Sequence, residues 1–153
     1  MNAISRPQTI LIVEDSDDDY ATTQRAFRKA GLSNPVQRCV TGDQALDYLY
    51  QRNRHADPAT APRPGIILLD LNLPGTDGRE VLARVKADPA LRAIPVIVLT
   101  TSSASDDVDH CYHAGANTYI QKPVDMQGFI DAILRLKEYW FEVAVLPRED
   151  LSA

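Results

Sequence analysis

Gly65-Ile66-Ile67-Leu68-Leu69-Asp70 is a run of large aliphatic residues closed by a carboxylate, and Asn72-Leu73-Pro74-Gly75 turns the chain straight after it. A short apolar run bounded by turn residues reads as a buried strand. Open α/β sheets hold their ligands at the carboxyl ends of such strands, so Asp70 stands where chemistry is done. Three other segments repeat the pattern. Thr9-Ile10-Leu11-Ile12-Val13 ends in Glu14-Asp15, and Pro95-Val96-Ile97-Val98-Leu99 ends in Thr100. Asn117-Thr118-Tyr119-Ile120 leads to Lys122-Pro123. Four strand ends thus deliver three carboxylates, a hydroxyl and an ammonium, a set suited to a divalent cation and a phosphoryl group on Asp70.

Helix-period segments alternate with these strands. Strands are expected over 9–13, 36–40, 66–70, 96–99 and 117–120. Helices are expected over 17–30, from the Thr41-Gly42-Asp43-Gln44 capping box to about 54, over 78–87, from 105 to 114, and from 125 towards 145. Ser16 and the aspartates after it suit the start of the first helix, and Gly31 its end. The segment 55–64 is a long helix-to-strand connection. Five βα units with fully apolar central strands imply a parallel sheet covered on both faces. Right-handed crossovers then favour a flavodoxin-like, doubly wound (βα)5 sheet of order 2-1-3-4-5.

At 153 residues the chain is most simply one domain, 1–153, with a core over about 8–146. A net charge of -5 provides no basic footprint for direct nucleic-acid binding. No apolar stretch approaches the roughly 20 residues that span a bilayer. The N-terminus lacks a signal-peptide core, which points to a cytoplasmic protein. Cys39 and Cys111 read as free thiols.

Glu14, Asp15 and Asp70 are expected to converge at adjacent strand ends. Three packed carboxylates repel one another, and a hard, oxygen-seeking cation relieves that repulsion. Mg2+ takes few protein oxygens and keeps several waters, which suits a shallow strand-end site. The backbone carbonyl of Asn72 is a candidate third protein ligand. Glu14 and Asp15 alone would pass as acids at a helix start. With Asp70 and Lys122 beside them, the metal reading is preferred. A carboxylate such as Asp70 can attack phosphorus. Lys122 is a compact charge suited to one phosphate oxygen, and Thr100 can donate to another.

These segments, together with Ala114-Gly115-Ala116 before the fifth strand, resemble the receiver domain of two-component response regulators. The resemblance implies that Asp70 accepts phosphate from a sensor histidine kinase, with Asp15 a direct metal ligand. It implies that Thr100 and Tyr119 are switch positions, and that Asn72 and Ser102 tune dephosphorylation. A cis Lys122-Pro123 bond is favoured on the same ground over an ordinary trans one. The insertion 54–64 and the Tyr139-Trp140-Phe141 to Leu146-Pro147 tail resemble single-domain regulators paired with bacterial and cyanobacterial phytochrome kinases. That implies a phytochrome as phosphodonor, and a homodimer.

With the sequence ending just past the fifth helix, output is expected through the receiver's own contacts. The apolar residues of that helix spread beyond one core-facing stripe. Tyr139, Trp140, Phe141 and Val143 are therefore candidates for a dimer surface through helix 4, strand 5 and helix 5. The alternative is a tail folded back on its own domain. His110 and His113 share a helical face, but nothing completes a zinc set, so a solvent or partner face is preferred. Two rival functions stand beside the receiver. One is a haloacid-dehalogenase-like phosphohydrolase, which would place Asp where Asn72 stands. The other is a pseudo-receiver scaffold, which would lack Asp70 or Lys122. A receiver that only drains phosphate from another pathway is a further alternative.

Overall fold

The computed structural model describes residues 8–102, 104–122, 125–143 and 146, with the side chains of 141–143 excepted. Five parallel strands are hydrogen-bonded in the order β2-β1-β3-β4-β5. They are β1 (Ile10–Val13), β2 (Val36–Cys39), β3 (Ile66–Leu69), β4 (Val96–Thr100) and β5 (Thr118–Gln121). The helices are α1 (Asp17–Lys29), α2 (Gly42–Leu49), α3 (Gly78–Ala87), α4 (Ser105–Ala114) and α5 (Met126–Lys137). This is the doubly wound, flavodoxin-like fold expected from the strand pattern.

Alternate strand residues serve opposite faces of the sheet. Leu11, Val13, Ile67, Leu69 and Val98 pack with α2 and α3 through Leu46, Val81, Leu82 and Val85. Ile10, Ile12, Ile66, Leu68 and Ile97 pack with α1 and α5 through Phe27, Phe129, Ile130 and Ile133. Both faces are dry, so β1 and β3 are apolar at every position.

Local chemistry sets the element ends. Ser16 Oγ accepts from Asp19 N at 3.2 Å and starts α1. Thr41 Oγ1 accepts from Gln44 N at 3.0 Å and starts α2. Gln44 reaches back one residue further than a capping box requires, to Val40 N at 3.0 Å.

Helix α2 stops at Leu49, short of the expected 54. Gln51 N donates to Tyr48 O at 3.1 Å and Arg52 N to Asp47 O at 3.0 Å, a Schellman closure. Gln51 takes the left-handed conformation this needs, with φ 52, and the following Asn53 has φ 57. The long connection is then fastened by Tyr48 Oη to Pro62 O at 2.7 Å and Gln51 Nε2 to Ala61 O at 3.0 Å. Strand β5 lies one residue later than expected, and Asn117, in the bend before it, ties β4 to α3. Its Oδ1 accepts from Val96 N at 2.9 Å and Lys86 Nζ at 3.1 Å.

Beyond α5 the chain widens into a π-helical turn, Glu138–Val143. Trp140 packs against the α1–α5 core, and Tyr139 is 55% exposed. Among the described residues, no helix is long and apolar enough to cross a membrane.

Candidate phosphoacceptor site

The sheet ladder continues past the strands and carries the site residues to one edge. Glu14 N donates to Cys39 O at 2.9 Å, Asp70 N to Val13 O at 3.1 Å and Lys122 N to Thr100 O at 2.7 Å. Glu14, Asp70, Thr100 and Lys122 are all buried, and Asp15 is exposed. Arg38, from β2, fixes the turn after β1 by donating from Nε to Glu14 O at 3.0 Å and pairing with Asp17 at 2.9 Å.

Ligand oxygens of Glu14, Asp15 and Asp70 lie within 4.8 Å of one another. Lys122 Nζ projects into this group and meets Glu14 Oε1 at 2.5 Å, Asp19 Oδ2 at 2.8 Å and Asp70 Oδ2 at 3.1 Å. Burial pushes the Glu14 carboxyl well above the ordinary range, and Lys122 offsets part of that. Burial also opposes the charge on Lys122, but hydrogen bonds to Asp19 and Glu14 outweigh it and raise its pKa. The donor set consists of hard carboxylate oxygens carrying more negative charge than one ammonium neutralises. It fits a divalent cation.

The turn after Asp70 is shaped by close contacts. Gly78 N donates to Leu71 O at 2.9 Å. A Cβ on Gly78 would strike the carbonyl of Asp70, so only glycine fits there. Thr76 Oγ1 donates to Asp43 Oδ1 and ties the turn to α2. Asn72 is exposed, and its N–H reaches Asp70 Oδ1 at 3.4 Å.

Beside the site, Tyr119 is half-buried and donates from Oη to Ser102 O at 2.8 Å. Ser102 Oγ donates to Asp107 Oδ2 at 2.6 Å. The fork of Arg79 grips Asp107 through Nε and Nη2, each at 2.7 Å. Sequence reasoning singled out Tyr119 and Ser102 and missed Asp19, Arg79 and Asp107. The Lys122-Pro123 bond falls on a residue outside those described, as do the side chains of Phe141 and Val143.

Residues 10–134 match the response regulator receiver domain. The chain belongs to that family. It is 38% identical over 141 residues to the response regulator Rcp1 of Synechocystis sp., covering 92% of this chain and 94% of that protein. It is similar to the crystal structure of the phosphorylated cyanobacterial phytochrome response regulator RcpA. The TM-score there is 0.88 at 39% identity, over 94% of this chain and 100% of that one. The Mn2+-bound form of Rcp1 superposes with TM-score 0.87 at 37% identity, over 93% and 100% of the two chains. The chain is thus a receiver-domain response regulator with phytochrome-linked relatives, and its acidic cluster is of the kind that suits a divalent metal.

Proposed function

We propose that this chain is a stand-alone, cytoplasmic, single-domain response regulator that takes a phosphoryl group on Asp70 from a sensor histidine kinase of the phytochrome class. The observation that carries the reading is the meeting of a buried Lys122 ammonium with Asp70, inside a three-carboxylate cluster at the strand ends. An Asp70 Oδ forms a bond to phosphorus as the phosphohistidine N–P bond breaks, and the electron pair leaves with the imidazole. Lys122 then trades a carboxylate contact for a phosphoryl oxygen, and Thr100 donates its hydroxyl to another. Glu14, Asp15, Asp70 and the Asn72 carbonyl would hold Mg2+, which when bound supplies positive charge against the phosphoryl oxygens.

In this reading Thr100 turns inward on phosphorylation and Tyr119 follows, a shift between two packings biased by a local charge. Asn72 and Ser102 flank the phosphoryl group and tune its hydrolysis. The switch is read on the α4–β5–α5 face, where Tyr139, Trp140, Phe141 and Val143 serve a homodimer. The role is signalling and not turnover of a free substrate.

Intact mass after incubation with acetyl phosphate tests the proposal. One phosphoryl group is expected with Mg2+, and none without Mg2+ or in Asp70→Asn. Continuous phosphate release with no adduct on Asp70 would sink it.

A further inference from the structure

Arg38 is the penultimate residue of β2 and pairs in register with Ile12 of β1. Alternation along the strand places it with Val36 on the α1 side of the sheet. Its side chain is 19% exposed and makes three contacts around the turn between β1 and α1. Nε donates to Glu14 O at 3.0 Å, Nη1 pairs with Asp17 at 2.9 Å, and the guanidinium lies 4.5 Å over the Tyr20 ring. The Asp17 side chain is 90% exposed, so that pair adds little stability. The contact with Glu14 does more. A carbonyl and the amide after it form one rigid plane, so a bond on Glu14 O also sets the plane from which Asp15 departs. The plane before Glu14 is set by its own N–H on Cys39 O at 2.9 Å. Successive residues of β2, Arg38 and Cys39, therefore hold both peptide planes of Glu14.

From this arrangement we infer that Arg38 is a positioning residue for a divalent cation: by fixing the Glu14 carbonyl it holds the Glu14 and Asp15 carboxylates at the spacing from Asp70 that a small, hard ion needs. The contact is to the Glu14 backbone and not to its carboxylate, so the arginine acts through the turn. Its positive charge, taken alone, would oppose a second cation. The two effects of removing Arg38 thus carry opposite signs, since losing the clamp weakens metal binding and losing the charge strengthens it. Mg2+ demands near-ideal octahedral geometry, whereas Ca2+ tolerates an irregular set of oxygens. A loosened turn therefore costs Mg2+ more than Ca2+, and a changed charge moves the two ions alike. The inference rests on the acidic cluster being the cation site put forward above.

The test uses the full chain and Mn2+, whose free aqua ion has an EPR signal that is lost on binding. Mg2+ and Ca2+ are then titrated as competitors. Titration well below the unfolding temperature keeps any loss of global stability out of the reading. Arg38→Lys keeps the charge but offers one flexible donor group in place of the planar fork. Arg38→Met combined with Asp17→Asn removes the clamp and leaves the net charge unchanged. The double variant is expected to bind Mg2+ about tenfold more weakly, the low end for a residue that supports metal ligands, with Ca2+ weakened less. Arg38→Lys is expected to fall between the double variant and wild type. Mg2+ affinity in the double variant equal to or tighter than wild type, or equal losses for Mg2+ and Ca2+, overturns the positioning role and leaves the cation site intact. No Mn2+ binding by the wild type, or binding unchanged in Asp15→Asn, would sink the cation site itself and the inference with it.

Discussion

The two charge clusters at the top of the sheet use similar groups for opposite ends. Around Lys122, one ammonium faces Glu14, Asp19 and Asp70, with Asp15 beside them. The Lys122 side chain is 3% exposed and that of Glu14 6%. Around Arg79, one guanidinium faces Asp77 and Asp107, and the Arg79 and Asp107 side chains are 28% and 21% exposed. Both clusters carry excess negative charge, but only the first lies where water cannot compensate for it. Buried charges without full partners are expensive to hold, so the Lys122 cluster is poised to accept a cation or exchange its contacts. The Arg79 cluster is solvated enough to rest, and its planar fork gives geometry in place of reactivity.

The largest effect should come from removing the cation of the buried cluster. Lys122→Ala leaves Glu14 and Asp70 buried with no ammonium, and the metal-free protein is expected to lose about 3 kcal/mol of stability. Mg2+ replaces the missing charge, so saturating Mg2+ should restore most of the loss. Urea unfolding with and without Mg2+ measures both quantities. A variant equally destabilised in the two conditions would show that the carboxylates do not form one metal-responsive unit.

Asp19 comes next. Its side chain is 38% exposed, so its bond to Lys122 is partly competed by water. Asp19→Asn should cost about 1 kcal/mol, a charged hydrogen bond discounted for that exposure. A loss as large as that of Lys122→Ala would place Asp19 inside the buried cluster and not at its rim.

The two clusters also differ in how far the sequence discloses them. Glu14, Asp15, Asp70, Thr100 and Lys122 were legible because apolar runs mark the strands and each residue closes or follows one. A parallel sheet then aligns those ends without further information. Asp19 was not legible as a site residue. It is one of three consecutive aspartates in the first turn of α1, all equally good for the helix dipole, and only the helix phase selects the one facing Lys122. Arg79 and Asp107 are 28 residues apart on separate helices, and nothing in either segment announces the other. The end of α2 was misjudged because Gln51 takes a left-handed conformation usually signalled by glycine or asparagine.

The smallest effect is the most selective. Hydrogen bonds from Arg79 and Ser102 hold the Asp107 carboxyl at about 2, below the ordinary aspartate range. An acid with a lowered native pKa binds fewer protons folded than unfolded, so its contribution is fully present above the unfolded value, near 3.9. That contribution fades as pH falls through about 2. In the partly exposed setting of Asp107 it should amount to no more than about 1 kcal/mol and should shrink with added salt. The stability difference between wild type and Asp107→Asn should therefore be constant from pH 7 to about 5 and close progressively below about 4. Glu80→Gln removes the exposed i,i+4 pair with Arg84 on the same helix as Arg79, and serves as the comparison. Both variants lose an ion pair, so both differences should fall with salt. Asp107 alone meets its arginine through both carboxylate oxygens, and an amide offers only one acceptor, so only its variant should keep a measurable difference at high salt. Equal losses in the two would reduce the Arg79–Asp107 contact to an ordinary surface pair, and with it the reason to regard α3 and α4 as joined by this fork.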